Sequence, residues 1–332
     1  MGKFRDDLKI DNFWILILKN KIFLGLIISV LSVVIILFLV DFNLVLNTLY
    51  RVNLLDLLFI GLLYVVGFVI RTKRWINIAS NTFHLPFRTA FEALVYGYAV
   101  NQILPAKLGE VFRAEYVARK GFSNRSSLFG SIFVERLFDV LILTCFLGVS
   151  IFYSEDLKLL FEGKFLVLSA VLFFIGLFLL IGIYILRGRH RVSEALNDKF
   201  RWNFRKIMLR FSESFFVFKN RAVCSMVIFH TILIWSITGG IFYLLNSNLS
   251  ILIPWYGYFF IVSAGTFGMI IPSTSGNVGV YHLVAMSSLM IFGVNREDAL
   301  AFAILAHAMD LLSNLAMGAI VYLLKLMERT SK

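Results

Sequence analysis

The chain has 332 residues, of which 59% are hydrophobic, 16% aromatic and only 16% charged. A soluble domain carries roughly a quarter charged residues, and several runs here reach the roughly twenty apolar residues that a bilayer core demands. Composition therefore predicts an all-α polytopic membrane protein, and the net charge of +12 is no nucleic-acid signature because its charges sit between the hydrophobic runs.

Of the 32 Lys and Arg residues, 27 fall in five stretches: 1–21, 71–88, 105–127, 187–221 and 325–332. The positive-inside rule places these stretches, and with them both termini, in the cytoplasm of a multi-pass cell (inner) membrane protein. The mixed-charge lead-in to Lys21 reads equally as an interfacial helix or a solvated segment. The first span, 22–40, is long and has no small-residue cleavage site after it, so it reads as a span rather than a signal peptide. The second span, 54–70, ends at Arg71, Thr72, Lys73, Arg74 and Trp75, the pattern of a cytoplasmic anchor with an interfacial Trp.

Residues 87–119 form a broken element with basic ends. Its first arm, 87–104, would rise about 27 Å and its second, 109–119, about 16 Å at 1.5 Å per residue. The second arm is too short and too charged to span, so the spacing predicts a re-entrant helical hairpin turning through Pro105 and Gly109. Such backbone survives at membrane depth only inside protein or beside a wet cavity. The third span, 128–150, carries Glu135, Arg136 and Asp139. The fourth, 165–186, returns to a basic linker, 187–221. There Phe200, Phe204, Ile207, Phe211 and Phe215 recur at helical spacing, which predicts an amphipathic helix on an anionic leaflet.

The fifth span is 222–245 and the sixth 299–324. Between them residues 254–293 repeat the broken pattern, with arms that look long enough to span and a tip whose uncharged residues leave open a hairpin or two full spans. Aligned on the prolines, Pro105 falls on Pro272 and Gly109 on Gly276. The reading is two inverted repeats, each with three spans and one Pro/Gly-broken hairpin. Residues 1–186 hold the first repeat with span 4, and 222–332 the remainder of the second.

Ionisable groups inside the membrane are functional candidates, since each costs about 2.5–3.5 kcal/mol at the bilayer centre. Asp139 and Asp310 each lie eleven residues into their spans, about 17 Å deep. Glu135 shares a helix face with Asp139, and the like charges need a counter-ion. Arg136 faces about 100° away and is not expected to serve both, which leaves Lys107 or Arg113 from the hairpin. Gly109 and Gly276 open helix arms whose free N–H groups would attract anions. Ser273, Thr274, Ser275 and Asn277 could add donors to a phosphate. His307 and Asp310, at i and i+3, read as a hydrogen-bonded pair, with a proton relay as the other possibility. The remaining histidines show no metal spacing, and neither metal nor cofactor is expected.

At these residues the chain resembles a flippase-like membrane family typified by the transmembrane region of lysylphosphatidylglycerol synthases. The resemblance rests on Arg71, Arg74 and Trp75; on Asn101, Leu104, Pro105, Gly109, Glu110 and Arg113; on Glu135, Arg136 and Asp139; and on Pro272, Gly276 and Gly279. The family's late motif usually reads Pro-Gly-Gly with a Glu soon after. Here Ser275 and Asn277 flank Gly276, and His282 stands near the place of the acid.

What the resemblance implies is translocation of a phosphate-bearing lipid, anionic or polyprenyl-phosphate, between leaflets. The candidate binding residues are then Arg71, Arg74, Asn101, Lys107, Gly109, Glu110, Arg113, Glu135, Arg136, Asp139, Ser273, Ser275, Gly276, Asn277 and Asp310. The expectation is a transporter rather than an enzyme. The rival classes are a membrane-embedded enzyme acting on a lipid phosphate and an accessory subunit of envelope lipid synthesis. The lipid, the direction, the energy source and the choice between homo-oligomer and envelope-synthesis partner stay open at this level.

Overall fold

The computed structural model describes residues 27–28, 30–104, 107–160, 207, 209–269 and 275–330. The lead-in, span 4, most of the basic linker, and Pro105, Pro272, Ser273 and Thr274 lie outside the described residues. The described chain is helical, with no strand among its residues. In order come α1 (Val30–Leu39), α2 (Phe42–Leu49), α3 (Leu54–Ala79), α4 (Phe87–Ile103), α5 (Leu108–Arg119), α6 (Arg125–Tyr153) and α7 (Glu155–Leu160). They are followed by α8 (Arg221–Asn248), α9 (Trp255–Gly268), α10 (Val280–Met290) and α11 (Arg296–Thr330), with short 3-10 turns at Ser214–Lys219 and Ser275–Asn277.

Among the described residues three helices, α3, α8 and α11, are long and apolar enough to cross a bilayer, and the α1–α2 pair would make a fourth crossing if its two bent arms count as one. Their outward faces carry Phe38, Leu55, Leu58, Leu62, Phe229 and Leu323, all exposed. A soluble protein would bury them, whereas lipid solvates them. This is a multi-pass membrane protein.

Local chemistry explains the starts. Asp41, Asn53, Asn124 and Asn220 each accept a backbone N–H from the first turn of α2, α3, α6 and α8, which satisfies donors that a helix leaves unpaired. Three boundaries differ from the sequence expectation. The first span stops at Leu39 and bends by 90° into α2, a helix the hydrophobic pattern alone did not separate. The second runs to Ala79, nine residues past Ile70. No proline interrupts it, and its polar residues find partners inside the protein, so Arg71, Arg74 and Trp75 lie within the helix. Trp75 is fully buried rather than interfacial. The arms of the second broken element, α9 and α10, have 14 and 11 residues, about 21 and 16 Å, too short for a hydrocarbon core of about 30 Å.

Both broken elements are antiparallel helix pairs. In the first, Gly97 and Gly109 bring the backbones together: a Cβ on Gly109 would sit 1.9 Å from the Gly97 carbonyl oxygen. Small residues at helix crossings are how membrane helices gain van der Waals contact when lipid removes the hydrophobic drive. Gly130 against the Phe211 carbonyl and Gly318 against Ala99 repeat the device. In the second pair Gly268 abuts Val284. The turn of the first pair uses Lys107 in the left-handed region, φ 54°, while Gly109 lies inside α5 as a packing residue rather than as the turn.

The end of the basic linker also differs. Phe211 and Phe215 pack with Phe133, Phe138 and Ile78 on α6 and α3, so this part of the amphipathic run faces protein and not lipid. A larger apolar core joins α3, α8, α9 and α11 around Phe302, Ile261 and Leu245. The two hairpins meet at their tips. The Gln102 carbonyl, in the last turn of α4, comes within 3.6 Å of where a Cβ on Gly276 would stand.

Candidate functional site

The centre of α6 supplies the charges. Glu135 and Asp139, one turn apart and facing α3, are 0% and 5% exposed. Arg113 from α5 grips Glu135 through two nitrogens, at 3.2 and 2.7 Å. Asp139 is held by Arg74 of α3 at 2.5 Å and by the indole N–H of Trp235 at 3.0 Å. Arg74 also reaches Glu135 at 3.2 Å and donates to the Thr231 hydroxyl at 3.2 Å. The Trp75 ring lies 3.6 Å from the Arg113 guanidinium carbon and donates its own N–H to Ser131.

The hairpin thus provides the expected counter-ion for Glu135, while that of Asp139 comes from α3. Arg136 does serve both acids, with Nη2 2.5 Å from Glu135 and Nη1 3.5 Å from Asp139. Its long side chain curls back over its own helix, which a count of Cβ directions does not anticipate. Its Nε lies 3.8 Å from Glu110. Three guanidinium groups therefore share two buried carboxylates, and the half-buried Glu110 beside Arg136 balances the third charge.

The first hairpin tip satisfies itself. Asn101 Oδ1 accepts the Gly109 N–H at 2.7 Å, and the Lys107 carbonyl accepts that of Glu110. The start of α5 is closed from within, so the anion-attracting N–H groups expected at Gly109 are occupied. Lys107 itself is exposed and has no ion pair among the described residues.

The second tip stands over a different set of groups. Gly276 and Asn277 both have positive φ, 69° and 58°. Ser275 opens the 3-10 turn. Under this turn Asp310 accepts from Gln102 Nε2 at 2.8 Å, and His307 pairs with His282, Nδ1 to Nε2, at 3.3 Å. The expected His307–Asp310 hydrogen bond is replaced by these two. Their tautomers follow from the backbone. The Gly279 N–H faces His282 Nδ1 at 3.4 Å and can only donate. Neutral His282 then carries its proton on Nε2 and donates to His307, whose own proton falls on Nε2. That nitrogen is buried against the Gly276 backbone without a well-formed hydrogen bond among the described residues.

Arg71 lies between the two sets. Its guanidinium sits 5.6 Å from the Tyr98 ring centre and has no carboxylate within 4 Å among the described residues. Toward the C-terminal end of α11, Lys325 donates to Tyr116 at 2.6 Å, and Lys120 pairs with Glu92 at 2.8 Å. Arg88 joins Glu92 and Glu328.

Sequence reasoning missed Gln102, Thr231, Trp235 and the role of Trp75. Of these only Trp75 carried a local signal, its place one residue after Arg74. Chemically, Arg71 and Lys107, cations with no carboxylate within 4 Å among the described residues, can attract an anion beside the neutral donors of the two tips. Among the described residues no group of three His, Cys, Asp or Glu side chains converges as a metal site would.

The sequence matches the family described as the lysylphosphatidylglycerol synthase TM region over residues 22–318. It is similar to a UPF0104 membrane protein of Methanocaldococcus jannaschii, 27% identical over 227 residues, which cover 67% of this chain and 92% of that protein.

Proposed function

The chain belongs to the lysylphosphatidylglycerol synthase transmembrane-region family, and from that premise we propose that it is a lipid translocase, moving a phosphate-bearing lipid or lipid-linked precursor between leaflets. The carrying observation is the meeting of two hairpin tips, at Gln102 and Gly276, beside cations in a membrane bundle. In this reading both hairpins are re-entrant, enter from opposite faces of two inverted repeats, and hold a headgroup midway across the inner membrane. Both termini are cytoplasmic. Helix arms of 17, 12, 14 and 11 residues support it, since they are shorter than ordinary spans.

The residues divide by their occupancy. Arg71, Lys107 and the partly exposed Arg136 receive the phosphate. Arg74, Arg113, Glu135 and Asp139 spend their charges on one another and hold the hairpin to α3 and α6. Asn101, Gly109 and Glu110 fix the first tip. Ser275, Gly276 and Asn277 form the turn of the second, and Asp310 of α11 lies under it.

The test is leaflet exchange of a fluorescent phospholipid in liposomes containing only this protein. Wild type should exchange lipid several-fold faster than protein-free liposomes and than Arg71→Gln, with the lipid recovered unchanged. Equal rates in all three overturn the reading. A chemically altered lipid would make the protein an enzyme, and neither movement nor chemistry would make it an accessory subunit.

A further inference from the structure

We propose that the space between Arg71 and Asp310 recognises a zwitterionic phospholipid headgroup, its phosphate toward Arg71 and its primary ammonium toward Asp310. The inference rests on the reading of this region as the lipid's site, but concerns selection rather than movement.

The argument starts from charge. Arg74, Arg113 and Arg136 each have a carboxylate within 4 Å. Arg71, one turn before Arg74 and eight residues from the end of α3, has none among the described residues. Its side chain folds back along its own helix, as helical side chains do. A Cβ on Gly67 would stand 2.8 Å from its Nη1, so that glycine leaves the guanidinium room one turn deeper. There its aromatic neighbour is Tyr98.

Asp310 is in the complementary position. Its hydrogen-bond donor is the neutral amide of Gln102, and no cation lies within 4 Å among the described residues. Residues 270–274, Ile-Ile-Pro-Ser-Thr, which lie outside the described residues, contain no ionisable side chain. Arg71 lies by the Tyr98 ring and Asp310 bonds Gln102, one turn further along α4, and no ion pair joins the two charges among the described residues.

An unpaired charge is costly inside a membrane, and here two half-buried charges of opposite sign lie beside α4, one turn apart, at Tyr98 and Gln102. A ligand carrying phosphate and a primary amine satisfies both. An anionic headgroup without an amine satisfies Arg71 while bringing a second negative charge toward Asp310. The groups around Asp310 are neutral: Gln102, the Gly276 backbone, and His307, whose Nε2 lies against that backbone.

The test is retention of phosphatidylethanolamine, phosphatidylcholine and phosphatidylglycerol by the detergent-purified full chain, offered in equal amounts and read by native mass spectrometry. Wild type should prefer phosphatidylethanolamine over phosphatidylglycerol by on the order of tenfold, the scale of one charge-assisted hydrogen bond. Phosphatidylcholine, whose quaternary ammonium has no N–H, should fall between them. Asp310→Asn should erase the preference and raise phosphatidylglycerol retention, while Arg71→Gln should lose both. Equal retention of the three lipids by wild type overturns the proposal, and that arm needs no variant to fold. A preference that survives Asp310→Asn overturns it too. The outcomes separate from those for translocation. Selective binding without leaflet exchange sinks the translocase alone, and headgroup-blind exchange sinks this proposal alone.

Discussion

Glu135 is the residue on which three guanidinium groups converge, from α3, α5 and α6. Buried charges are held at the expense of hydration, and removing one partner strands the other, at about 3–5 kcal/mol. Glu135→Gln should therefore lower stability by about that amount, read as thermal unfolding in detergent. Joint replacement of Arg113 and Glu135 by Leu should recover part of the loss, because Arg74 keeps Asp139. Glu110→Gln is the contrast: its contact with Arg136 is 3.8 Å and both groups are partly exposed, so the change should fall within about 1 kcal/mol. A Glu135→Gln protein that melts with wild type would remove these charges from the list of forces that hold the hairpin.

At the scale of the element, hairpin α4–α5 is set by backbone contact rather than by turn chemistry. Gly109→Ala would drive a methyl group into the Gly97 carbonyl, 1.9 Å away, and into Asn101 Oδ1, 2.6 Å away. Neither can yield without moving α4 or uncapping α5. The expected cost is about 3 kcal/mol or more, at the upper end of overpacking, seen as lost folded yield and a lower melting temperature. Gly61→Ala in α3 has nothing within 4 Å and should be neutral or stabilising by up to about 1 kcal/mol through helix propensity. If the two substitutions behaved alike, the close approach of α4 and α5 would not be the device that closes the hairpin.

Taken whole, the molecule is tied at one end by charges and girdled at the other by aromatic rings. Arg88, Glu92, Lys120, Lys325 and Glu328 link α4, α5 and α11. Tyr153, Trp255 and Tyr256 cluster where α6 meets α9, the pattern of an interfacial belt. In the topology proposed above, the first end is the cytoplasmic one. In a background lacking Cys145 and Cys224, cysteines at Glu155 and Arg296 should react with an impermeant reagent from outside intact cells, and one at Arg119 should not. External labelling of Arg119 would invert the first hairpin and end the inverted-repeat reading.

Membrane class and helix content were legible in the sequence because both are local. A run of about twenty apolar residues is what a bilayer core demands. The broken hairpin at 87–119 was legible for the same reason, from Pro105, the glycines and two basic ends. The buried acids stood out because a charge inside an apolar run has few explanations. Which charge answers which acid was not legible. Arg74 reaches Asp139 across 65 positions of sequence and Arg113 reaches Glu135 across 22, and only helix packing brings them together. Nor could spacing foresee that Asn101 would close the tip of α5, or that His307 would turn from Asp310 to His282. Sequence determined that charges and helix breaks lie inside this membrane protein. Tertiary structure decided which of them are spent on one another and which, like Arg71 and Asp310, stand apart, because pairing depends on distances between helices that no sequence period encodes.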